Sequence, residues 1–164
     1  MNNSQSTPYT KICLSGGFDP IHVGHLRMIQ EAKQYGEVIV IVNSDEWLMR
    51  KKGYIFMPFE ERCEIIEGFD CVAYTTSVDD TDDTVCEALR KIQPDYFGNG
   101  GDRKINNTPE MILCQNLGTK LIWNLGGGKI QSSSELVEAA GLYAETGLDE
   151  DLKPAKVEII SSSY

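Results

Sequence analysis

Apolar runs alternate with helical spacings along most of the chain. Residues 11–15 (KICLS) form a short apolar stretch that ends directly in Gly16 and Gly17. Residues 38–42 (VIVIV) form a continuous β-branched run, the pattern of a strand buried on both faces of a parallel sheet. Between them Leu26, Ile29 and Ala32, with Met28 and Tyr35, recur at helical intervals. That spacing predicts an amphipathic helix over 24–35, closed by Gly36.

The theme repeats further on. A helix is expected over PFEERCEIIEGF, where Pro58 stands at a start that does not need its N–H. Strands are expected at 71–74, 95–98 and 120–123. Helices are expected at 84–92, behind the acidic residues 79–83 that suit a helix's positive end, and at 109–117, stopped by Gly118. Ser132, Ser133, Ser134 and Glu135 look like a capping box opening a last helix through Ala140. Strand and helix alternate at βαβ spacing, which predicts an α/β fold with a doubly wound, parallel, five-stranded sheet and right-handed crossovers. Residues 1–10 read as a polar, disordered lead-in, 11–147 as one domain, and 148–164 as a tail or edge element.

Composition narrows the function. The chain of 164 residues has room for one domain with a proper core. Its formal charge of −10 argues against a broad nucleic-acid surface, which needs clustered Lys and Arg. One small anion in a local basic pocket is still accommodated. No stretch approaches the ~20 apolar residues of a membrane span, and the N-terminus lacks the basic-then-apolar order of a secretory signal. A cytoplasmic protein without a membrane partner is expected. The five cysteines have no CxxC spacing, so reduced thiols are expected rather than a zinc site or disulfides.

In a doubly wound sheet, ligands bind beyond the carboxyl ends of the strands, so the segment after the first strand comes first. It reads GGFDPIHVGH. Gly16 and Gly17 let the backbone approach a phosphate, and the next helix offers its N-terminal N–H groups to an anion. His22 and His25, three apart, are the chain's only histidines, and both fall on this junction. Singly, the glycines make a turn, Asp19-Pro20 a turn starter and each histidine a surface residue. Together they make a clamp for a phosphate whose charge is redistributing. A GxGxxG dinucleotide turn is excluded by the glycine spacing.

GGFDPIHVGHL resembles the HxGH signature of the nucleotidyltransferase superfamily, with His22, Val23, Gly24 and His25 in the four motif positions. The resemblance implies a Rossmann-like fold in which both histidines contact the triphosphate around the α-phosphate, with Gly16, Gly17, Phe18, Asp19 and Gly24 along the nucleotide. A phosphate oxygen of the second substrate attacks there in line, and pyrophosphate leaves. NSDEWLMRKKG resembles the segment whose lysine binds the acceptor's phosphate, with Lys51 and Lys52 as candidates and Lys52 assigned to catalysis; a solvated basic turn is the alternative. MPFEERCEII resembles the helix bearing a phosphate-directed arginine, matched by Arg62; a surface ion pair with Glu60 or Glu61 is the alternative.

FGNGGD resembles the loop along the ribose and base, placing Gly100, Gly101 and Asp102 there, with Arg103 extending toward a phosphate. GGGKIQSSSELV occupies the place of the family's Ser/Thr-rich phosphate motif, giving Ser132, Ser133, Ser134 and Lys129 to the β- and γ-phosphates. Two departures stand out. Many members carry Thr or Ser where Gly17 stands, and the last motif lacks the arginine of polyol-phosphate cytidylyltransferases.

The motif set most resembles heptose-1-phosphate adenylyltransferase domains, then glycerol-phosphate-type cytidylyltransferases. It implies an enzyme joining ATP or CTP to a sugar or polyol phosphate. Mg²⁺ would be held through the triphosphate, with no protein metal cage. A non-catalytic nucleotide-binding module of the same fold is the other reading. A homodimer or larger homo-oligomer is expected by base rate.

Overall fold

The computed structural model describes residues 10–100, 108–128 and 130–145. The chain runs β1 (Lys11–Gly16), α1 (Val23–Ala32), a 3₁₀ turn (Lys33–Tyr35), β2 (Glu37–Val42), α2 (Asp45–Lys52) and α3 (Phe59–Glu67). It continues through β3 (Val72–Thr76), α4 (Cys86–Ile92), β4 (Tyr96–Gly100), α5 (Pro109–Leu117), β5 (Lys120–Leu125) and α6 (Ser133–Glu145). The expected lead-in, except Thr10, and the expected tail lie outside the described residues.

All strand pairings are parallel, in the order β3-β2-β1-β4-β5. Strands this deep in a sheet need side chains that suit apolar surroundings on both faces, and β1 and β2 supply them. Ile12, Leu14, Val38, Val40 and Val42 pack with Ile29 and Ala32 of α1 and Ile66 of α3. The alternate residues Cys13, Ile39 and Ile41 pack with Ala88 and Leu89 of α4, Phe97 of β4 and Cys114 of α5. The period-two alternation thus faces two helical layers, and each buried Val or Ile contributes about 1.5–3 kcal/mol. All five thiols are free, and burial pushes Cys13 up to about 12 and Cys114 up to about 11. Among the described residues no helix is long and apolar enough to cross a membrane.

After β1 the chain winds outward to β2 and β3, then crosses to the other side of β1 to form β4 and β5. The reversal opens a crevice at the carboxyl ends of β1 and β4, the place where open α/β sheets bind ligands.

α2 was not expected. Its signals are local: Ser44 caps it by accepting the Trp47 N–H, Asp45 and Glu46 fill the first turn, and Gly53 ends it in the left-handed conformation. The lysine segment is therefore the last turn of a helix, not a basic turn.

Candidate active site

The junction between β1 and α1 is built so that both histidines hold their own backbone. His22 caps α1: its Nδ1 accepts the Gly24 N–H at 3.1 Å, while the His22 N–H donates to Nδ1 of His25 at 3.2 Å. Both Nδ1 atoms are acceptors, so each neutral ring carries its proton on Nε2. The rings stack at 3.8 Å between centroids, and Phe18 meets His25 edge-on at 4.9 Å. Gly24 is required by this stack, because a Cβ there would lie 2.9 Å from Cε1 of His22. Burial, then the neighbouring His22, lowers the His25 pKa to about 3; burial also lowers that of His22. At neutral pH the pair therefore offers two Nε2–H donors without positive charge.

These rings line a cleft of about 390 Å³ at the switch point. Lys52, from the end of α2, spans its rim and donates to Oγ of Ser134 at the start of α6, 2.6 Å away. Met28, Gly100, Leu125 and Gly126 gather at the other end, and Ser15 and Gly16 also line the cleft. The cleft thus has a polar end, with imidazole donors, an ammonium and the first turn of a helix, and an end of apolar side chains and glycine backbone. The first suits phosphates and the second a flat heterocycle.

The cytidylyltransferase-like profile matches residues 13–146, an interval that contains every element of this cleft. The chain belongs to that family. It is 32% identical to the bifunctional protein HldE of Syntrophotalea carbinolica over 121 residues, 72% of this chain but 23% of that protein. An FAD synthase of Ferroglobus placidus is 32% identical over 93 residues, 57% of this chain and 60% of that one. The chain therefore spans about a quarter of the length of the HldE relatives it matches. The solved lipopolysaccharide core biosynthesis protein from Thermoplasma volcanium GSS1 shares the fold, with a TM-score of 0.61 at 23% identity over 73% of this chain and 98% of that one.

Of the residues singled out in the sequence, His22, His25, Gly16, Phe18, Gly24, Gly100, Lys52 and Ser132–Ser134 are brought together at the cleft. Gly101, Asp102, Arg103 and Lys129 lie outside the described residues. Four others do not face the cleft. Arg62 is fully buried, and its guanidinium donates to the carbonyls of Met57, Gly17 and Asn43 and to Asp45 at 2.7 Å. It has no donor turned to a substrate phosphate, and its ion pair is neither at the surface nor with Glu60 or Glu61. Lys51 pairs with Asp83 at 3.5 Å, because consecutive helical residues leave α2 on different faces.

Asp19 is also spent internally. Its carboxylate accepts the Phe56 and Met57 N–H groups at 2.7 and 2.6 Å, fastening the loop after α2. Gly17 gives its carbonyl to Arg62, and a Cβ there would lie 3.0 Å from Leu48 Cδ2. Leu48 therefore crowds the position where many relatives carry a hydroxyl residue. At the last motif, Ser132 accepts the Glu135 N–H at 3.4 Å, as a cap should, but Gln131 takes the Ser132 N–H that a capping box would give to Glu135. Ser133 donates to the Pro20 carbonyl at 2.7 Å.

Met28 and Leu125 line the cleft but were not among the candidate site residues read from the sequence. Met28 lies on the same helical stripe as His25, three residues on, and that spacing was the available signal.

Proposed function

We propose that this chain transfers a nucleoside monophosphate from ATP to a sugar or polyol phosphate, releasing pyrophosphate, after the manner of heptose-1-phosphate adenylyltransferases. The observation that carries the reading is the paired lock on Nδ1 of His22 and His25, which reserves both Nε2–H groups for a ligand in the cleft. A structural cap needs one such ring; two, stacked beside an ammonium, suit a pentacoordinate phosphorus whose equatorial oxygens gain charge.

In the proposed step an oxygen of the acceptor phosphate forms a bond to the α-phosphorus. The opposite α–β bridge breaks, and its electron pair leaves with pyrophosphate. The imidazoles donate to α-phosphate oxygens throughout. Lys52 exchanges its bond with Ser134 for the acceptor or β-phosphate, and the first-turn N–H groups of α6 receive the leaving pyrophosphate. Gly101, Asp102, Arg103 and Lys129 are assigned along the nucleotide on the strength of the motifs alone. No group of three metal-ligating side chains occurs among the described residues, and Asp19 is already committed. As the family resemblance implies, Mg²⁺ would be carried by the triphosphate, where it would neutralise phosphate charge.

The test is pyrophosphate release from each of the four NTPs against a panel of sugar and polyol phosphates. Release with ATP and a sugar 1-phosphate is the expected result. Release with CTP and a polyol phosphate would instead place the chain with the cytidylyltransferases of polyols. Nucleotide binding with no release in any combination would leave a binding module and defeat the catalytic reading.

A further inference from the structure

The carboxylate of Glu31, in the last turn of α1, accepts the Gly126 N–H at the start of the glycine run that lines the apolar end of the cleft. Ninety-five residues separate the two. Gly126 is in the left-handed region, at φ 83°, and a Cβ on it would lie 2.9 Å from the Met28 backbone nitrogen. The loop therefore lies directly on α1, in a position only glycine allows. Beyond that point, among the described residues, the run is more open. Gly127 is also left-handed and donates to Asn124 within its own turn, and a Cβ on either Gly127 or Gly128 would meet nothing within 4 Å.

His25, Met28 and Glu31 are spaced three apart on one helix. His25 and Met28 both line the cleft, His25 at the polar end and Met28 at the apolar end, and Glu31 holds the loop beside Met28. From His25 to Glu31 is about 9 Å along the helix axis, the scale of a nucleoside. We infer that Glu31 is a positioning residue for nucleotide recognition, holding the glycine run against α1 at a fixed distance from the histidine pair. It acts through Gly126 and touches neither the phosphates nor the acceptor. The inference rests on the proposed use of the cleft for a nucleotide. The glycine run has no side chains, so recognition at this end depends on where its backbone lies, and one carboxylate sets that.

The test compares Glu31→Ala and Glu31→Gln with wild type in two assays. One is steady-state pyrophosphate release. The other is calorimetric binding of ATP and of inorganic tripolyphosphate. In Glu31→Ala the KM and Kd for ATP should rise about three- to tenfold, the worth of one hydrogen bond to a charged acceptor at an exposed site. The kcat and the tripolyphosphate Kd should stay within about twofold, since the phosphate end is untouched. Glu31→Gln keeps an acceptor oxygen and should recover most of the ATP affinity. Unchanged ATP affinity in Glu31→Ala, or equal losses for ATP and tripolyphosphate, would overturn the inference. A wild-type chain that binds ATP but releases no pyrophosphate would remove the catalytic reading alone, because ATP binding still reports the loop. A wild-type chain that binds neither would remove both.

Discussion

Two polar clusters sit side by side at the carboxyl edge of the sheet and are built on opposite terms. Around Arg62, which is fully buried, four N–H donors are consumed: Met57, Gly17 and Asn43 supply carbonyls and Asp45 a carboxylate. Nearby, Asp80 takes Asn43 Nδ2 and both the N–H and hydroxyl of Ser44. Around His22 and His25, among the described residues, each ring gives only Nδ1 to the protein and keeps Nε2 for the cleft. A buried guanidinium turned wholly to internal acceptors holds three chain segments together. A pair of imidazoles with one donor each in reserve holds the first turn of α1 and can also meet a ligand. What separates structural polarity from chemical polarity here is the unspent donor.

The contrast is sharpest where it predicts different kinds of damage. Arg62→Met should cost about 3–5 kcal/mol of stability, because it strands Asp45 and three carbonyls. The urea midpoint measures this, and a variant that unfolds like wild type but loses phosphate affinity would move Arg62 back into the substrate site. Lys52→Ala should lower kcat/KM about ten- to a hundredfold, the worth of a charged hydrogen bond to phosphate. Lys51→Ala should stay within about twofold, since its partner Asp83 lies away from the cleft. Equal losses for the two lysines would show that α2 does not divide them.

A smaller effect follows from the neutral histidines. His25 is held well below its ordinary pKa, so the folded chain binds fewer protons than the unfolded one between about pH 6.5 and 3. Its burial is therefore tolerated fully above 6.5, and stability falls as the pH drops through that window. The unfolding free energy from urea titrations should decline by about 1–2 kcal/mol from pH 6.5 to 5. The decline should be shallower in His25→Ala, and identical slopes would mean that the ring is not held neutral.

Much of this was legible in the sequence. The β-branched run of β2 and the helical stripe of α1 pointed to the sheet and its helical cover, and two histidines on one glycine-flanked junction pointed to the cleft they line. α2 escaped because its apolar residues, Trp47, Leu48 and Met49, are adjacent and only Leu48 is buried. Its end signals, Ser44 and Gly53, were nevertheless present. Arg62 was misread for a different reason. A charge reads as surface until its partners are known, and those partners come from the residues just after β1 and β2, the first residue of α2 and the loop before α3. The internal duty of Asp19 was hidden likewise, since Phe56 and Met57 reach it only in the fold.

The most direct measurement is the turnover of His25→Ala beside its affinity for ATP, with folding checked at pH 7.5. Loss of at least about a hundredfold in kcat, with the nucleotide still bound, is the expected result for removing one preorganised donor to the transferring phosphate. Turnover at the wild-type rate by a folded variant would contradict the role given to the reserved Nε2–H, and with it the distinction drawn between the two clusters.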